Sequence, residues 1–434
     1  MPATDPDSER LREWVVAQRW FGSKARDVSE VHVLEVLALR DGLALGLVEA
    51  RFHTGTHELY QLLVHGEDAD ALTHPALATL FREQATLDGE HGMVAFRWLD
   101  DAPALPDDAA VRTMGAEQSN TSVVLGDAHV LKLFRRLEPG DNPELEMLRF
   151  LHDHGFAHVP ALHGWSELRG DVLDATLGVA QELVVDARDG WDHALDALGK
   201  DPEGLIDALR ALGGVCGELH TVLGSDLTDP DFAPEEPSEE SLALLTATID
   251  EQIERVFVGL PDLPALAPIA GRGEDIRDRL ALMSHLGARG RLIRHHGDLH
   301  LGQTLLADGR WIILDFEGEP ARPLRERRRK RSPLRDVAGM LRSFAYAASA
   351  SRIQRGHEPP EGWEEQAREA FLEGYVATVE TGLLPAGQAA TRTLLRIFEL
   401  EKAVYELSYE LNNRPDWLPI PVAGIARLLE EPIA

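Results

Sequence analysis

Residues 292–320 of this chain read LIRHHGDLHLGQTLLADGRWIILDFEGEP, and they decide its fold. Asp298 follows a His-Gly pair, Gln303 comes five residues later, and Asp315 ends the apolar run WIIL. Phosphoryl transfer needs a carboxylate that accepts the proton of the attacking hydroxyl, and oxygen ligands that hold Mg²⁺ against the phosphates. These three side chains offer such groups, so the stretch predicts an enzyme that uses ATP and Mg²⁺.

The spacing is similar to that of protein kinases, in which D-x4-N precedes a strand and D-F-G. Here the amide is Gln303, and the third element is D-F-E at residues 315–317. A plain hairpin with solvent-facing polar residues would explain the turn at 308–309. It would not explain the dense polar cluster in front of that turn.

A zinc site is the second alternative for this stretch. Its ligands would be His295, His296 and His300. The three histidines lack the H-E-x-x-H form, and no further ligand follows at a familiar spacing. The phosphotransferase interpretation is therefore preferred.

Upstream residues supply what phosphoryl transfer demands. Lys132 alternates with apolar neighbours in the strand-like AHVLKLF, and such a lysine can pair with phosphates and with a helix glutamate. The candidate partner is Glu146 in PELEMLRFL, with Glu144 as the alternative. The polar loop 115–121 lies where a phosphate cover belongs, although it is not G-x-G-x-x-G. The groups that would bind phosphate belong to the end of this loop and to the residue after it, namely Ser119, Asn120, Thr121 and Ser122.

Composition excludes several classes of protein. The chain has 43 Lys and Arg against 74 Asp and Glu, a formal net charge of −31. A general nucleic-acid binder needs a basic face for the phosphates, so the charge argues against that class. The single cysteine, Cys216, excludes an internal disulfide and any zinc site built on several cysteines. No signal peptide or membrane-length apolar stretch is found, so we expect a cytoplasmic protein.

Several quoted segments resemble the maltokinases, relatives of the aminoglycoside phosphotransferases within the kinase-like superfamily. The likeness covers residues 90–430 and extends more loosely to the first 90 residues through QRWFGSKAR. The segments that carry it are GAEQSNTSVV, HGDLHLGQ, DFEGEPARPL, SPLRDVAGMLRS and EKAVYELSYELNNRPDWLPIP.

The resemblance implies an α+β, bilobal kinase-like fold. Residues 1–90 would be an N-terminal cap subdomain, residues 91–198 the nucleotide-binding lobe, and residues 199–434 a mostly helical C-terminal lobe. This division agrees with the pattern along the chain, which changes from strands to sheet-helix-sheet and then to helices.

The resemblance also implies roles for individual residues. Asp298 would be the catalytic base, Gln303 and Asp315 the Mg²⁺ ligands, and Lys132 a contact of the ATP phosphates. A hinge at Gln181, Glu182 and Val184 would contact adenine through backbone groups. His296 and His300, which flank Asp298, are assigned to the substrate.

The implied acceptor is a sugar hydroxyl. Maltose, giving maltose 1-phosphate, is the main expectation, and glucosamine, giving glucosamine 6-phosphate, is the alternative. A pseudokinase-like module that holds nucleotide without turnover is disfavoured, since Lys132, Asp298 and Asp315 are all present. We expect a monomer, and a trehalose-processing enzyme as a candidate partner.

The long C-terminal helical pattern has two faces. One carries apolar residues that predict packing: Ile397, Leu400, Val404, Leu407 and Leu411. The other is either a solvated face or the wall of the sugar pocket, in which an aromatic ring stacks on a pyranose and polar groups bind hydroxyls. Its candidates are Lys402, Tyr405, Glu406, Tyr409, Glu410, Asn413 and, beyond the helix, Trp417.

The run ARPLRERRRKRSPLRD, residues 321–336, is unusual in so acidic a chain. A solvated segment is preferred over a site that recruits anions or nucleic acid. Arg335-Asp336 offers an internal brace behind the catalytic loop instead. Glu317 and Glu319 are additional candidates near the metal, and the sequence does not separate their roles.

Overall fold

The computed structural model describes residues 6–90, 92–114, 120–281, 290–319 and 322–430. The chain divides into two compact units, Met1–Val185 and Asp186–Ala434. Strands dominate the first unit and helices dominate the second, which confirms the α+β class and the mostly helical C-terminal part. Among the described helices, none combines the length and the apolar character needed to cross a bilayer.

The first unit is built on two antiparallel sheets. Its elements are α1 Pro6–Ala17, β1 Val28–Ala38, β2 Leu43–Phe52, β3 His57–His65, α2 Ala76–Arg82, β4 Thr86–Asp88, β5 Gly92–Trp98, β6 Val111–Thr113, β7 Asn120–Leu125, β8 His129–Phe134, β9 Arg136–Leu137, α3 Pro143–Asp153, β10 Leu162–Gly170 and β11 Ala175–Glu182. One sheet has the order β1-β2-β3-β9, and the other has the order β4-β5-β10-β11-β8-β7-β6. The strand that carries Lys132 is thus flanked on both sides in the larger sheet.

The hairpin of β1 and β2 turns at Asp41-Gly42, a pair that is typical of such turns. Both residues have positive φ, +52° and +80°, as a tight turn between twisted antiparallel strands requires. The pairing of Ala38 with Ala44 then sets the register of β1 and β2.

Helix α3 has a sequence signal at each end. The side chain of Asn142 caps it by accepting from the backbone N–H of Glu144 at 2.9 Å, and Pro143 occupies the first turn. Gly155, with φ of +68°, follows its C-terminal end. The cap places Glu144 in the first turn, where the helix dipole favours a carboxylate.

The second unit is a helical body with a small sheet. Its elements are β12 Arg188–Asp189, α4 Gly190–Leu198, α5 Pro202–Leu223, α6 Glu239–Val258, α7 Gly273–Ala281, β13 Thr304–Ala307, β14 Arg310–Ile313, α8 Leu324–Arg327, α9 Leu334–Ala350, α10 Trp363–Thr378, α11 Gln388–Asn413 and α12 Pro419–Glu430. The sheet has the order β12-β13-β14. The predicted turn between β13 and β14 is present, with φ of +49° at Asp308 and +77° at Gly309.

Helices α5 and α10 pack so closely that glycine is required at their contact. A Cβ atom on Gly213 would come nearer to the carbonyl oxygen of Phe371 than real Cβ atoms do. A Cβ atom on the next residue, Gly214, would lie 3.8 Å from its nearest neighbour, the side chain of Thr378. The backbones therefore touch at Gly213 but leave ordinary space at Gly214.

We expect Gly213→Ala to lower the free energy of unfolding by about 1–3 kcal/mol, because the added methyl forces α5 and α10 apart. Gly214→Ala is the matched control. It should be neutral or stabilising by up to about 1 kcal/mol, because alanine favours a helix more than glycine does. Urea unfolding followed by circular dichroism measures both. Equal losses in the two variants would contradict the proposed contact.

Candidate active site

One buried carboxylate, that of Asp336 on α9, holds the loop that carries Asp298. It accepts hydrogen bonds from the backbone N–H groups of His296 at 2.7 Å and Gly297 at 2.9 Å. The Nε2 atom of His220, on α5, lies 3.2 Å from the same carboxylate. Asp336 is only 2% exposed, so these bonds replace water around its charge. Asp336 therefore fixes the two residues that directly precede Asp298.

His296 is a structural residue rather than a substrate contact, which corrects the prediction. Its Nε2 atom lies 2.8 Å from the carbonyl oxygen of Leu314, and its Nδ1 atom accepts from the N–H of Asp298 at 3.3 Å. The residue is 1% exposed, so both ring nitrogens are committed inside the protein. His296 ties the Asp298 loop to the residue that precedes Asp315.

Gln303 and Asp315 meet at one end of the β13–β14 hairpin, where Nε2 of Gln303 donates to Oδ2 of Asp315 at 2.9 Å. The φ of Asp315 is +62°, a conformation that costs a non-glycine residue free energy and recurs at functional sites. One carboxylate oxygen of Asp315 lies within 4.8 Å of one from Glu317. Magnesium prefers such hard oxygen donors. These three side chains fit an Mg²⁺ ion, which would neutralise charge on bound phosphates.

Asp298 has a cation beside it, the ammonium of Lys402 on α11. The Nζ atom lies 3.3 Å from Oδ1 of Asp298 and 3.4 Å from Oε1 of Glu319. Burial alone would lower the pKa of Lys402, but the carboxylates of Asp298 and Glu319 outweigh burial and raise it. Glu319 also forms an ion pair with Arg322. Arg322 belongs to the basic run 321–336, for which a solvated segment is predicted. Glu317 and Glu319 thus differ, since Glu317 lies near Asp315 and Glu319 near Lys402.

His300 supports the turn that positions Gln303. Its Nδ1 atom accepts from the backbone N–H of Gly302 at 3.1 Å, so its side chain caps the short helix Leu301–Gln303. Burial lowers the pKa of His300, more than the nearby carboxylate of Asp298 raises it. The ring is therefore neutral at physiological pH and can accept the hydrogen bond from Gly302.

The alternative zinc site would use the ring nitrogens of His295, His296 and His300. Within the described part of the chain, they do not bring ring nitrogens together as a set of metal ligands. His296 and His300 instead make the backbone contacts given above. The phosphotransferase interpretation is thus the one that the local geometry favours.

The predicted polar wall of α11 is not continuous. Glu406 accepts from Nε and Nη2 of Arg342 at 3.0 and 2.7 Å, and it is 9% exposed. Glu410 is 1% exposed and contacts Arg414 at 2.6 Å and the hydroxyl of Tyr346 at 3.1 Å. Both carboxylates belong to internal ion pairs, which corrects the expectation that they stand free as sugar ligands.

The remaining residues of that face are more accessible. Tyr405 and Tyr409 are 36% and 45% exposed. The amide of Asn413 donates to the carbonyl oxygen of Tyr409 at 2.8 Å, so it binds its own helix. Trp417 is half-buried, with its ring centroid 6.1 Å from the stacked ring of Tyr346. Two exposed tyrosines therefore follow Lys402 along α11, and each has a cation over its ring, Lys402 at 5.1 Å from the centroid of Tyr405 and Arg414 at 5.3 Å from that of Tyr409.

In the first unit, Lys132 forms its ion pair with Glu144 and not with the preferred candidate Glu146. The Nζ atom lies 2.6 Å from Oε2 of Glu144, whose side chain is 3% exposed. The other oxygen of Glu144 accepts from Nε2 of Gln181 at 2.9 Å. The alternative partner is thus the correct one, and Gln181 contributes its side chain in addition to its backbone.

Residues of the predicted phosphate cover lie on opposite faces of β7. Ser122 pairs directly with Lys132 in the sheet, so Ser122 and Asn120 share the face of Lys132. Thr121 faces the other way, where its hydroxyl accepts from Nε of Arg135 at 2.8 Å. The assignment of Thr121 to phosphate is therefore corrected. Ser119 lies outside the described residues.

The predicted hinge follows β11. The backbone N–H of Glu182 donates to Ala161, and that of Leu183 donates to Ala128, both at 2.9 Å. These donors are committed within the first unit. Among the described residues the backbone N–H of Val184 has no backbone acceptor, and a contact between this segment and adenine stays a prediction.

Comparison with known sequences divides the chain in the same order. The maltokinase N-terminal cap domain matches residues 14–104, and the phosphotransferase enzyme family matches residues 110–355. A glucosamine kinase from Mycolicibacterium smegmatis is 29% identical over 332 residues, covering 74% of this chain and 80% of its own. A glucosamine kinase from Streptacidiphilus jiangxiensis is 27% identical over 444 aligned residues, covering 98% of this chain and 95% of its own.

A solved structure shares the fold. It is a glucosamine kinase in complex with glucosamine, ADP and inorganic phosphate, 22% identical to this chain. The TM-score is 0.74, with 96% of this chain and 98% of that one covered. This similarity confirms the predicted kinase-like fold with a cap. Since the phosphotransferase model spans more than half of the 434 residues, the chain belongs to the phosphotransferase enzyme family and carries a maltokinase N-terminal cap domain.

Proposed function

We propose that this protein is an Mg²⁺-dependent kinase that transfers the γ-phosphoryl group of ATP to a hydroxyl of glucosamine. The observation that carries the kinase assignment is the anchored loop, in which Asp336 fixes the backbone before Asp298. Membership in the phosphotransferase family supports it. Phosphoryl transfer depends mainly on positioning and on charge neutralisation, and a rigid loop with a carboxylate at its tip serves the first need.

Each candidate residue has a distinct task in this proposal. Asp298 accepts the proton of the attacking hydroxyl as the new O–P bond forms and the bond from the γ-phosphorus to the β–γ bridging oxygen breaks, with ADP as the leaving group. Lys132, held by Glu144 at 2.6 Å, orients the phosphates of ATP. Gln303, Asp315 and Glu317 would hold Mg²⁺, which draws negative charge away from the phosphates when bound. The intact set Lys132, Asp298 and Asp315 argues against a module that binds nucleotide without turnover.

Glucosamine is preferred to maltose as the acceptor. The two relatives compared above are named glucosamine kinases, and the solved neighbour of the same fold holds glucosamine. The net charge of −31 supports this choice, because an acidic protein attracts a cationic sugar more than a neutral disaccharide. Maltose is named only through the family of the cap domain, and no relative compared here supports a trehalose-processing partner. A cytoplasmic location, a monomeric state and the three-part division at residues 90 and 198 stay predictions.

An acceptor panel tests the proposal directly. With saturating Mg²⁺-ATP, we expect kcat/KM for glucosamine to exceed that for maltose and for glucose by at least about tenfold. ADP release in a coupled assay, with ³¹P NMR of the product, provides the measurement. If maltose gave the highest kcat/KM, the assignment of glucosamine as the acceptor would be wrong, but the assignment as a kinase would still hold. ATP turnover with none of the sugars would contradict the kinase itself.

Asp298→Asn should lower kcat by about 10² to 10⁴, because the amide cannot take the proton of the hydroxyl. Asp308→Asn is the matched control, since Asp308 lies in the exposed β13–β14 turn and asparagine tolerates its φ of +49°. The control should keep near-normal kcat. Near-normal kcat in Asp298→Asn with glucosamine would remove Asp298 as the base.

Glu144→Gln should lower kcat/KM for ATP by about tenfold or more, because it leaves Lys132 without its buried partner. Glu146→Gln, two residues further along α3 and half-buried, is the control and should change this value little. Steady-state kinetics with ATP varied and glucosamine saturating distinguishes the two. A larger loss in Glu146→Gln than in Glu144→Gln would restore the original assignment.

A further inference from the structure

A second cavity of the second unit, apart from the Gln303–Asp315 site, has an unusual charge. Its volume is about 710 Å³, and its walls come from α6, α11 and the segment 328–332 of the basic run. Among the described residues, six cationic and four acidic side chains line it. A cationic cavity in a chain of net charge −31 requires an explanation.

Internal ion pairs account for some of these cations. Lys330 lies 2.8 Å from Glu235, Arg335 lies 2.7 Å from Glu401, and Arg328 lies 3.9 Å from Asp231. These pairs fix the wall of the cavity and leave little net charge of their own. They do not include Arg331.

Arg331 differs from the paired cations of this wall, and also from Arg329, whose side chain is exposed. Its backbone is fixed on both sides by Ile293, through hydrogen bonds of 2.8 and 2.9 Å. Its guanidinium is half-buried and has no ion-pair or hydrogen-bond partner among the described residues. Burial lowers the pKa of Arg331 to about 10, the neighbouring Arg335 and Arg322 act in the same direction, and the carboxylate of Glu401 opposes them only in part. The nearby carboxylate of Glu401 is already paired with Arg335 at 2.7 Å, so the guanidinium of Arg331 is held in place without an ion-pair partner of its own.

A phosphate group is the ligand that suits this arrangement. A guanidinium binds phosphate through two parallel hydrogen bonds, which a lysine ammonium cannot do. The cavity also has apolar walls, including Phe398 and Leu292, and it is far larger than a phosphate ion. Cavities of this size commonly hold small organic ligands. A protonated amino sugar would be repelled by the cations, so this cavity is unsuited to the acceptor.

We propose that this cavity binds the phosphate group of a small phosphorylated sugar, with Arg331 as its principal contact. The cavity adjoins the region of Asp298, since Arg331, Arg335 and Glu401 also line a smaller cavity that contains Asp298 and Lys402. The proposal does not depend on the kinase activity, because binding is measured without turnover. A sugar phosphate and free phosphate share the recognised group, and the test distinguishes them.

Isothermal titration of the full chain tests the proposal, with Mg²⁺ and a non-hydrolysable ATP analogue present to occupy the nucleotide site. The probes are glucose 6-phosphate and inorganic phosphate. Wild type should bind glucose 6-phosphate saturably with one site, and Arg331→Gln should weaken that binding by at least about tenfold. Arg331→Lys, which keeps the charge, should weaken it less. Arg325→Gln is the control of equal charge change, since Arg325 is exposed and lies outside the cavity walls.

Tighter binding of glucose 6-phosphate than of phosphate would identify the sugar phosphate as the ligand, whereas tighter binding of phosphate alone would overturn that part of the proposal. The absence of saturable binding to wild type would overturn the site. So would equal weakening in Arg331→Gln and Arg325→Gln. Thermal unfolding checks that the variant is folded. Arg331→Gln should not lower Tm, because it removes a cation that has no protein partner.

Discussion

The site depends on one buried anion. Asp336 comes 38 residues after Asp298 in the sequence, yet its carboxylate takes the two backbone N–H groups that precede the catalytic aspartate. The His296 donor is buried and the Gly297 donor is part-buried, so removing their acceptor would cost up to about 1–3 kcal/mol for each group left unsatisfied. The same carboxylate meets His220 of α5. One charge thus joins α5, α9 and the catalytic loop, and the loop can adopt only the conformation that satisfies it.

Local chemistry could be predicted from the sequence because it depends on neighbours along the chain. The Asp41-Gly42 turn, the start of α3 at Pro143 and the β13–β14 hairpin all follow from short signals. The hairpin alone brings Gln303 to Asp315, since residues on either side of a paired strand end must meet. The spacing D-x4-Q, followed by a strand and D-F, therefore predicts that Gln303 and Asp315 lie close together.

Apart from the brace expected at Arg335-Asp336, long-range pairing could not be predicted in this way. Glu144 and Glu146 lie on different sides of α3, and only the placement of β8 decides which of them meets Lys132. His296 and Glu406 are residue types that often bind ligands. Here both are buried, and they form hydrogen bonds with Leu314 and Arg342 instead. Polar residues in such motifs serve the ligand or the scaffold, and the difference depends on contacts that are distant in sequence.

Asp336→Asn tests the central claim, that a buried carboxylate positions the catalytic aspartate. The amide keeps the size of the side chain but turns one acceptor into a donor that faces other donors. We predict that kcat with glucosamine falls by about tenfold or more while KM for ATP changes by less than about threefold, in protein that retains its circular dichroism spectrum. A folded Asp336→Asn variant with wild-type kcat would contradict the account.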